Sequence, residues 1–196
     1  MQQTIRTFIA FELPPEVISL LREVQQGLKR LKLRARWVRP ENIHLTLKFL
    51  GDINTGAVDR IGTEMADAVS EFAPISLAVK GVGVFPGIRR PRVIWVGIGG
   101  DTQALFALQG RLEEKLIPLG FPGEKRAFKA HLTLGRLKSA AEPEKIRQMI
   151  NEFADLSSED FILKQLILYK SDLEPSGAVY SQLKQANVGM TIWKDE

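Results

Sequence analysis

The sequence of 196 residues contains no cysteine and only two histidines. The absence of cysteine excludes disulfide scaffolds, thiol nucleophiles and zinc sites built on thiolates. Two histidines are too few for a metal site made of imidazoles alone. Little catalytic machinery is therefore available, and the surroundings of the two histidines become the most informative part of the sequence.

Long apolar runs are also absent. No stretch approaches the roughly 18 residues that a membrane-spanning helix needs, and the N-terminus lacks the basic and apolar segments of a secretory signal. We therefore expect a cytoplasmic protein without a membrane partner, and a monomer. With 44% hydrophobic and 26% charged residues, the composition is that of a globular chain of one domain or two small lobes. The net charge of +4 is compatible with an anionic ligand.

The hydrophobic pattern alternates strands and helices through both halves of the chain. Strand-like segments are predicted at 4–11, 43–50, 75–85, 92–98, 128–137, 161–169 and 179–185, with a short edge strand at 190–193 as a further candidate. Helices are predicted at 14–28, 55–72, 102–119 and 143–153. Because hairpin-like strand pairs follow the helices, the pattern favours an α+β protein with mainly antiparallel sheets over a doubly wound parallel fold.

Both histidines begin the same tetrapeptide, His-Leu-Thr-Leu, at positions 44–47 and 131–134. Typical residue usage would place Leu-Thr-Leu after a given histidine only about once in 2,000, so chance explains the repeat poorly. The two copies lie nearly half a chain apart, which indicates two related lobes that each contribute an equivalent strand. Duplication without function remains the alternative.

Strand geometry gives the repeat a chemical meaning. Residues i and i+2 of a strand share a face, so His44 and Thr46 point one way while Leu45 and Leu47 point into a core. The same alternation holds from 131 to 134. Two such strands placed side by side would present two imidazoles and two hydroxyls on one surface.

That set of groups suits phosphodiester chemistry without a metal. Imidazole has a pKa of about 6.5, so one ring can accept a proton while the other donates one. Threonine hydroxyls can donate hydrogen bonds to non-bridging phosphate oxygens. A strained cyclic phosphate is the easiest such substrate, because its leaving oxygen stays tethered.

Cations cluster near both tetrapeptides. Six lie upstream of the first with no acid among them: Lys29, Arg30, Lys32, Arg34, Arg36 and Arg39. Others flank the second: Lys125, Arg126, Lys129, Arg136 and Lys138. The clusters would attract a polyanion, but the first also fits the solvated C-terminal end of a helix. Both interpretations stay open.

Strand alternation also places neighbouring residues on a face. Lys48 has the same parity as His44, which predicts that it shares the face of that imidazole. Arg136 has the opposite parity from His131, so it points away unless Gly135 marks a β-bulge. Two interpretations are open for the aromatic rings of Phe8 and Phe11 in the first strand. They either stack on a nucleotide base or pack in the core.

On these residues, the sequence resembles the two-histidine (2H) phosphoesterase superfamily. Within it, the chain is similar to the bacterial and archaeal RNA 2′,3′-cyclic phosphodiesterases, historically called 2′-5′ RNA ligases. The resemblance covers nearly the whole chain. It is carried by residues 44–51 and 131–136, and supported by segments 6–11, 84–86 and 168–171.

The resemblance implies a single bilobal α+β domain over residues 1–196, with pseudo-symmetric, mainly antiparallel sheets facing a central cleft and helices outside. It implies metal-independent hydrolysis of RNA 2′,3′-cyclic phosphate ends, or of such nucleotides, to 2′-phosphates without a cofactor. By motif position, His44 would be the proton donor and His131 the proton acceptor that activates water. Thr46, Thr133 and Arg136 would bind the phosphate. The pseudo-symmetry makes donor and acceptor formally interchangeable.

Two other functions remain as hypotheses. The same histidines would serve 2′-5′ ligation of tRNA half-molecules, since ligation reverses the proton transfers of hydrolysis. A non-catalytic RNA-binding module would use the cations and exposed aromatic rings instead, although the two complete tetrapeptides argue against it.

Overall fold

The structure is a computed structural model that describes residues 3–175 and 177–189. Nine strands lie in these residues: β1 Thr4–Phe11, β2 Ala35–Trp37, β3 Leu45–Asn54, β4 Ile75–Phe85, β5 Val93–Gly100, β6 His131–Leu137, β7 Phe161–Leu163, β8 Gln165–Glu174 and β9 Gly177–Asn187. Four α-helices accompany them: α1 Pro15–Arg30, α2 Val58–Ser70, α3 Thr102–Leu116 and α4 Pro143–Glu152. The edge strand expected at 190–193 lies outside the described residues.

The strands form two sheets with the orders β3-β1-β8-β9 and β2-β6-β5-β4-β7. Every pairing between these strands is antiparallel, so the predicted α+β class is confirmed. Each sheet contains one tetrapeptide strand, β3 in the first and β6 in the second. The two sheets do not correspond to the two halves of the chain, because β2 joins the second sheet and β8 and β9 join the first.

The two sheets approach each other next to the tetrapeptides. Strands β3 and β6 are in contact. A Cβ atom placed on Gly177 of β9 would lie 3.7 Å from the guanidinium of Arg36 on β2. The first and second sheets are therefore close to each other at this point as well. One continuous apolar core contains residues of both sheets, including Ile9, Leu45 and Leu132. The tetrapeptides therefore start on neighbouring strands of sheets that share a core.

Local signals place the helices close to where the sequence predicts them. Helix α1 starts at consecutive prolines and ends at Arg30, with Lys29 and Arg30 in its last turn. The side chain of Asp101 accepts a hydrogen bond from the Ala104 amide at 3.0 Å and caps α3. Along residues 3–175 and 177–189, no helix combines the length and apolar character that crossing a bilayer requires.

The strand predicted at 161–169 is wrong as a single element. Residues Phe161–Leu163 pair with β4 in the second sheet, whereas Gln165 begins β8, which pairs with β1 in the first. The chain changes sheets at Lys164. Only Lys164 and Gln165 separate the apolar residues of β7 from those at 166–169, and so short a polar interruption does not by itself indicate that the chain changes sheets.

A buried glutamine ties α1 to the second tetrapeptide. The side-chain amide of Gln25, which is 1% exposed, donates to the carbonyls of Val38 at 2.8 Å and Leu134 at 2.9 Å. The backbone N–H of Val38 also donates a hydrogen bond to the carbonyl of Leu134, at 2.9 Å. A buried carbonyl without a donor is costly, so this amide fixes the backbone where the tetrapeptide ends.

We expect Gln25→Leu to lower the free energy of unfolding by about 1–3 kcal/mol, because the Val38 carbonyl loses its buried side-chain donor, whereas the Leu134 carbonyl keeps the backbone N–H of Val38. Urea denaturation of the variant measures this loss. Gln26→Leu is the matched control, since Gln26 is the exposed neighbour on the same helix, and should change stability by less than about 0.5 kcal/mol. Equal effects of the two substitutions would contradict this role of Gln25.

Candidate active site

The two tetrapeptides show the alternation that strand geometry predicts. Their leucines are buried at 0–3% exposure: Leu45, Leu47, Leu132 and Leu134. Their imidazoles and hydroxyls are half-buried: His44, Thr46, His131 and Thr133. In each strand the leucines belong to the core, and the polar pair lies on the other face.

A β-bulge in β6 changes the face of the residues that follow the second tetrapeptide. Thr133 lies opposite Trp95 and Gly135 lies opposite Ile94, which leaves Leu134 as an extra residue. Parity therefore reverses at Leu134, and Arg136 shares the face of Thr133. A side-chain carbon on Gly135 would meet the Trp37 ring at 3.0 Å, so little room is left for a larger residue at the bulge.

Arg136 lies where the two sheets meet. Its charge affects the titration of His131 in its own strand and of Tyr180 on β9 of the first sheet. It is exposed and stands directly opposite Arg36 in the register of β2 and β6. Like charges in this position repel each other, and an anion held between them would relieve that repulsion.

Strand β3 carries a bulge at the corresponding position, and this makes one prediction wrong. Thr46 lies opposite Ala10 and Lys48 opposite Ile9, so Leu47 is the extra residue. Lys48 consequently faces the core instead of sharing the face of His44. It is 3% exposed, and its ammonium donates to Glu113 Oε1 at 2.9 Å and to the carbonyl of Pro122 at 2.6 Å.

Both imidazoles are held in the same way by the backbone. Nδ1 of His44 lies 2.8 Å from the carbonyl of Asn42, and Nδ1 of His131 lies 2.6 Å from that of Lys129. A carbonyl can only accept, so Nδ1 carries the proton in both rings. In the neutral form, each Nε2 is therefore the basic nitrogen.

His44 sits in an aromatic pocket. Its ring stacks on Phe8 with 4.6 Å between centroids, and Tyr180 meets it edge-on at 5.2 Å. Tyr169 lies 6.1 Å away. Burial lowers the pKa of His44 to about 4, although the hydrogen bond to Asn42 opposes this shift. The free imidazole is consequently neutral at pH 7.

His131 has more open surroundings, in which Phe85 meets its ring edge-on at 4.9 Å. Burial is again the main reason that its pKa is lowered, and the charge of Arg136 acts in the same direction. The hydrogen bond to Lys129 partly offsets both effects. Both imidazoles are therefore neutral near pH 7 and can each accept a proton on Nε2.

The aromatic residues around His44 are the part of the site that sequence reasoning missed. Tyr169 and Tyr180 come from β8 and β9, far along the chain from the tetrapeptides. The only sequence signal was their neighbourhood, since Tyr169 lies in a segment that supports the family resemblance. Of the two candidate stacking residues, Phe11 is core at 0% exposure and Phe8 is buried beneath His44 at 3%.

A cavity of about 560 Å³ opens beside His44. Its polar lining includes Glu12, Arg22, Asn42, Tyr169, Tyr180 and Gln182.

The cations upstream of the first tetrapeptide lie in different surroundings. Lys29 and Arg30 end α1, whereas Arg36 lies beside Arg136. Among residues 3–175 and 177–189, no group of three or more His, Asp or Glu side chains is arranged to hold a metal ion.

Comparison with known proteins identifies the family. The LigT-like phosphoesterase family matches residues 11–95 and 98–180. An RNA 2′,3′-cyclic phosphodiesterase of Methanothermobacter thermautotrophicus is 31% identical over 92% of this chain and 97% of its own. One of Archaeoglobus fulgidus is 34% identical over 92% and 98%.

Solved structures agree with this relationship. A Thermus thermophilus protein is 26% identical, with a TM-score of 0.74 over 94% of this chain and 98% of its own. Escherichia coli LigT, crystallised with 3′-AMP, shares the fold at 20% identity, with a TM-score of 0.74 over 96% of this chain and 100% of its own. The chain belongs to the LigT-like phosphoesterase family. It is an enzyme, a phosphoesterase of the 2H type.

The burial and hydrogen bonds of the two histidines lead to a prediction of their protonation states. In the free protein, both imidazoles should be neutral at pH 7 with the proton on Nδ1, and His44 should protonate only near pH 4, because burial disfavours its charged form. Long-range ¹H–¹⁵N spectra resolve the two residues, and His44→Gln and His131→Gln assign them. A phosphomonoester added to the site should raise both pKa values. Titration of His44 at or above pH 6.5 in the free protein would contradict the prediction.

Stability should follow the same titration. An unfolded imidazole binds a proton near pH 6.5, whereas folded His44 does so only near pH 4. The unfolded state therefore takes up the proton first, and this contribution lowers the free energy of unfolding as the pH falls from 6.5 to 4. His44→Gln should lose this part of the pH dependence.

Proposed function

We propose that the protein hydrolyses RNA 2′,3′-cyclic phosphate ends to 2′-phosphomonoesters without a metal, by acid-base catalysis from His44 and His131. The observation that carries the proposal is the matched anchoring of the two imidazoles. In each tetrapeptide, a backbone carbonyl two residues upstream holds Nδ1 and leaves Nε2 for proton transfer. The activity for which the relatives are named supplies the substrate class.

In the proposed reaction, Nε2 of His131 takes a proton from water as the oxygen of that water bonds to phosphorus. The bond from phosphorus to O3′ breaks, and Nε2–H of His44 gives its proton to the departing O3′. The hydroxyls of Thr46 and Thr133 donate to non-bridging oxygens. Arg136 contributes positive charge to the phosphate from the face that the bulge gives it.

Burial supports this division of roles. Desolvation by three rings makes the His44 imidazolium the stronger acid, so it gives up a proton readily once charged. His131 has fewer apolar neighbours and retains the more basic ring. The donor must be protonated before the reaction, and the negative charge of the bound phosphate raises its pKa for that purpose.

The proposal predicts turnover of an RNA ending in a 2′,3′-cyclic phosphate in the presence of EDTA, with a 2′-phosphate as product. His44→Ala and His131→Ala should each lower kcat/KM by about 10²–10⁴-fold, because each removes one proton-transfer group. Chromatography against 2′- and 3′-phosphate standards identifies the product, and a labelled RNA with a 5′-hydroxyl reveals any joining.

Gln148→Ala, on the exposed surface of α4, is the control and should retain wild-type activity. Thermal unfolding verifies that the histidine variants remain folded. Full activity of either histidine variant would refute the mechanism. RNA binding that survives loss of both histidines, with no product from the wild type, would favour a binding module instead.

A further inference from the structure

Phe49 occupies the position in β3 that Arg136 occupies in β6. Each residue lies five positions after the histidine of its tetrapeptide, and each follows a bulge at the last leucine. Phe49 lies opposite Phe8, which shares the face of Ala10, the partner of Thr46. The two bulges thus bring a phenyl ring to the site from one sheet and a guanidinium from the other.

The Phe49 ring is presented to solvent close to the reacting groups. It is 61% exposed, although its centroid lies only 5.9 Å from that of buried Phe8. Phe8 in turn stacks on His44 at 4.6 Å. The Phe8 ring therefore lies between the exposed ring of Phe49 and the imidazole of His44. A single exposed apolar side chain is ordinary, so its meaning depends on what stands beside it.

A groove of about 460 Å³ runs from Phe49 along the loop between α3 and β6. The loop contributes two exposed cations, Lys125 and Arg126, and one exposed acid, Glu124. The groove is therefore open, aromatic at one end and net positive along its wall.

The same bulge that exposes Phe49 also anchors this loop. It buries Lys48, whose ammonium binds the carbonyl of Pro122 at 2.6 Å and Glu113 at 2.9 Å. The Glu113 carboxylate accepts the amide N–H of Glu124 at 3.1 Å. These contacts attach the loop to β3 directly before the two cations, so the ring and the charges are held in a fixed relation.

We propose that this groove binds the nucleotide immediately 5′ of the terminal cyclic phosphate, with its base stacked on Phe49 and the connecting phosphodiester near Lys125 and Arg126. The inference rests on the proposed function. A cyclic phosphate ends the strand on its 3′ side, so a neighbouring nucleotide exists only on the 5′ side. Stacking accepts any base, and the cations read only phosphate. The groove selects RNA chains over mononucleotides, with little preference for the penultimate base.

The test compares a nucleoside 2′,3′-cyclic phosphate with a dinucleotide that carries the same cyclic end. The wild type should show the higher kcat/KM on the dinucleotide. Phe49→Leu keeps an apolar side chain but removes the aromatic face, and it should lower kcat/KM about tenfold on the dinucleotide only. Phe49→Trp should retain the wild-type preference. Phe106→Leu makes the same change at another exposed phenylalanine, on α3 and outside the groove, and should alter neither substrate.

The cations give an independent readout. Lys125→Ala with Arg126→Ala should reduce the salt dependence of kcat/KM for the dinucleotide and leave that for the mononucleotide unchanged. Lys145→Ala with Arg147→Ala, on α4, is the charge-matched control. Equal losses on both substrates, or no loss in Phe49→Leu, would overturn the subsite. Failure of the wild type to turn over either substrate would instead refute the proposed function.

Discussion

Each histidine strand carries one extra residue at the last leucine of its tetrapeptide, and the rest of the site depends on the register that results. Up to the threonine, simple alternation sends the imidazole and the hydroxyl to one face and the leucines to the core. Beyond it, the bulge reverses the alternation. Arg136 and Phe49 thereby join the polar face, while Lys48 is buried against Glu113. The same kind of bulge, present in both strands, determines which face Arg136 occupies and how the α3–β6 loop is anchored.

The second constraint is that the imidazoles are partly desolvated and are held in place by the backbone. The carbonyls of Asn42 and Lys129 settle which nitrogen carries the proton, and the aromatic rings around His44 disfavour its charged form. A site of this kind resists protonation until an anion enters it. The facing arginines favour the same event, because an anion relieves the repulsion between Arg36 and Arg136. Under the proposed function, we therefore expect binding of the phosphate and protonation of the donor to be coupled.

Much of this arrangement could be predicted from the sequence, because the signals are local. Periodicity located β1 and β4 with their observed ends, prolines marked the starts of α1 and α4, and the paired tetrapeptides pointed to the two imidazoles that the proposed function uses. Gly135 signalled one bulge. The bulge at Leu47 has no such marker, so parity placed Lys48 on the wrong face. Tyr169 and Tyr180 reach His44 only through the pairing of β8 with β1 and β9, which no local pattern encodes.

The central claim is that His44 and His131 work as one proton-transfer pair. The most direct measurement compares kcat/KM of His44→Ala, His131→Ala and the double variant on one cyclic phosphate substrate. Groups that act as a unit show strongly non-additive losses, so the double variant should match the poorer single variant within about threefold. Losses that multiply, with the double variant worse by the product of the two single effects, would contradict the account.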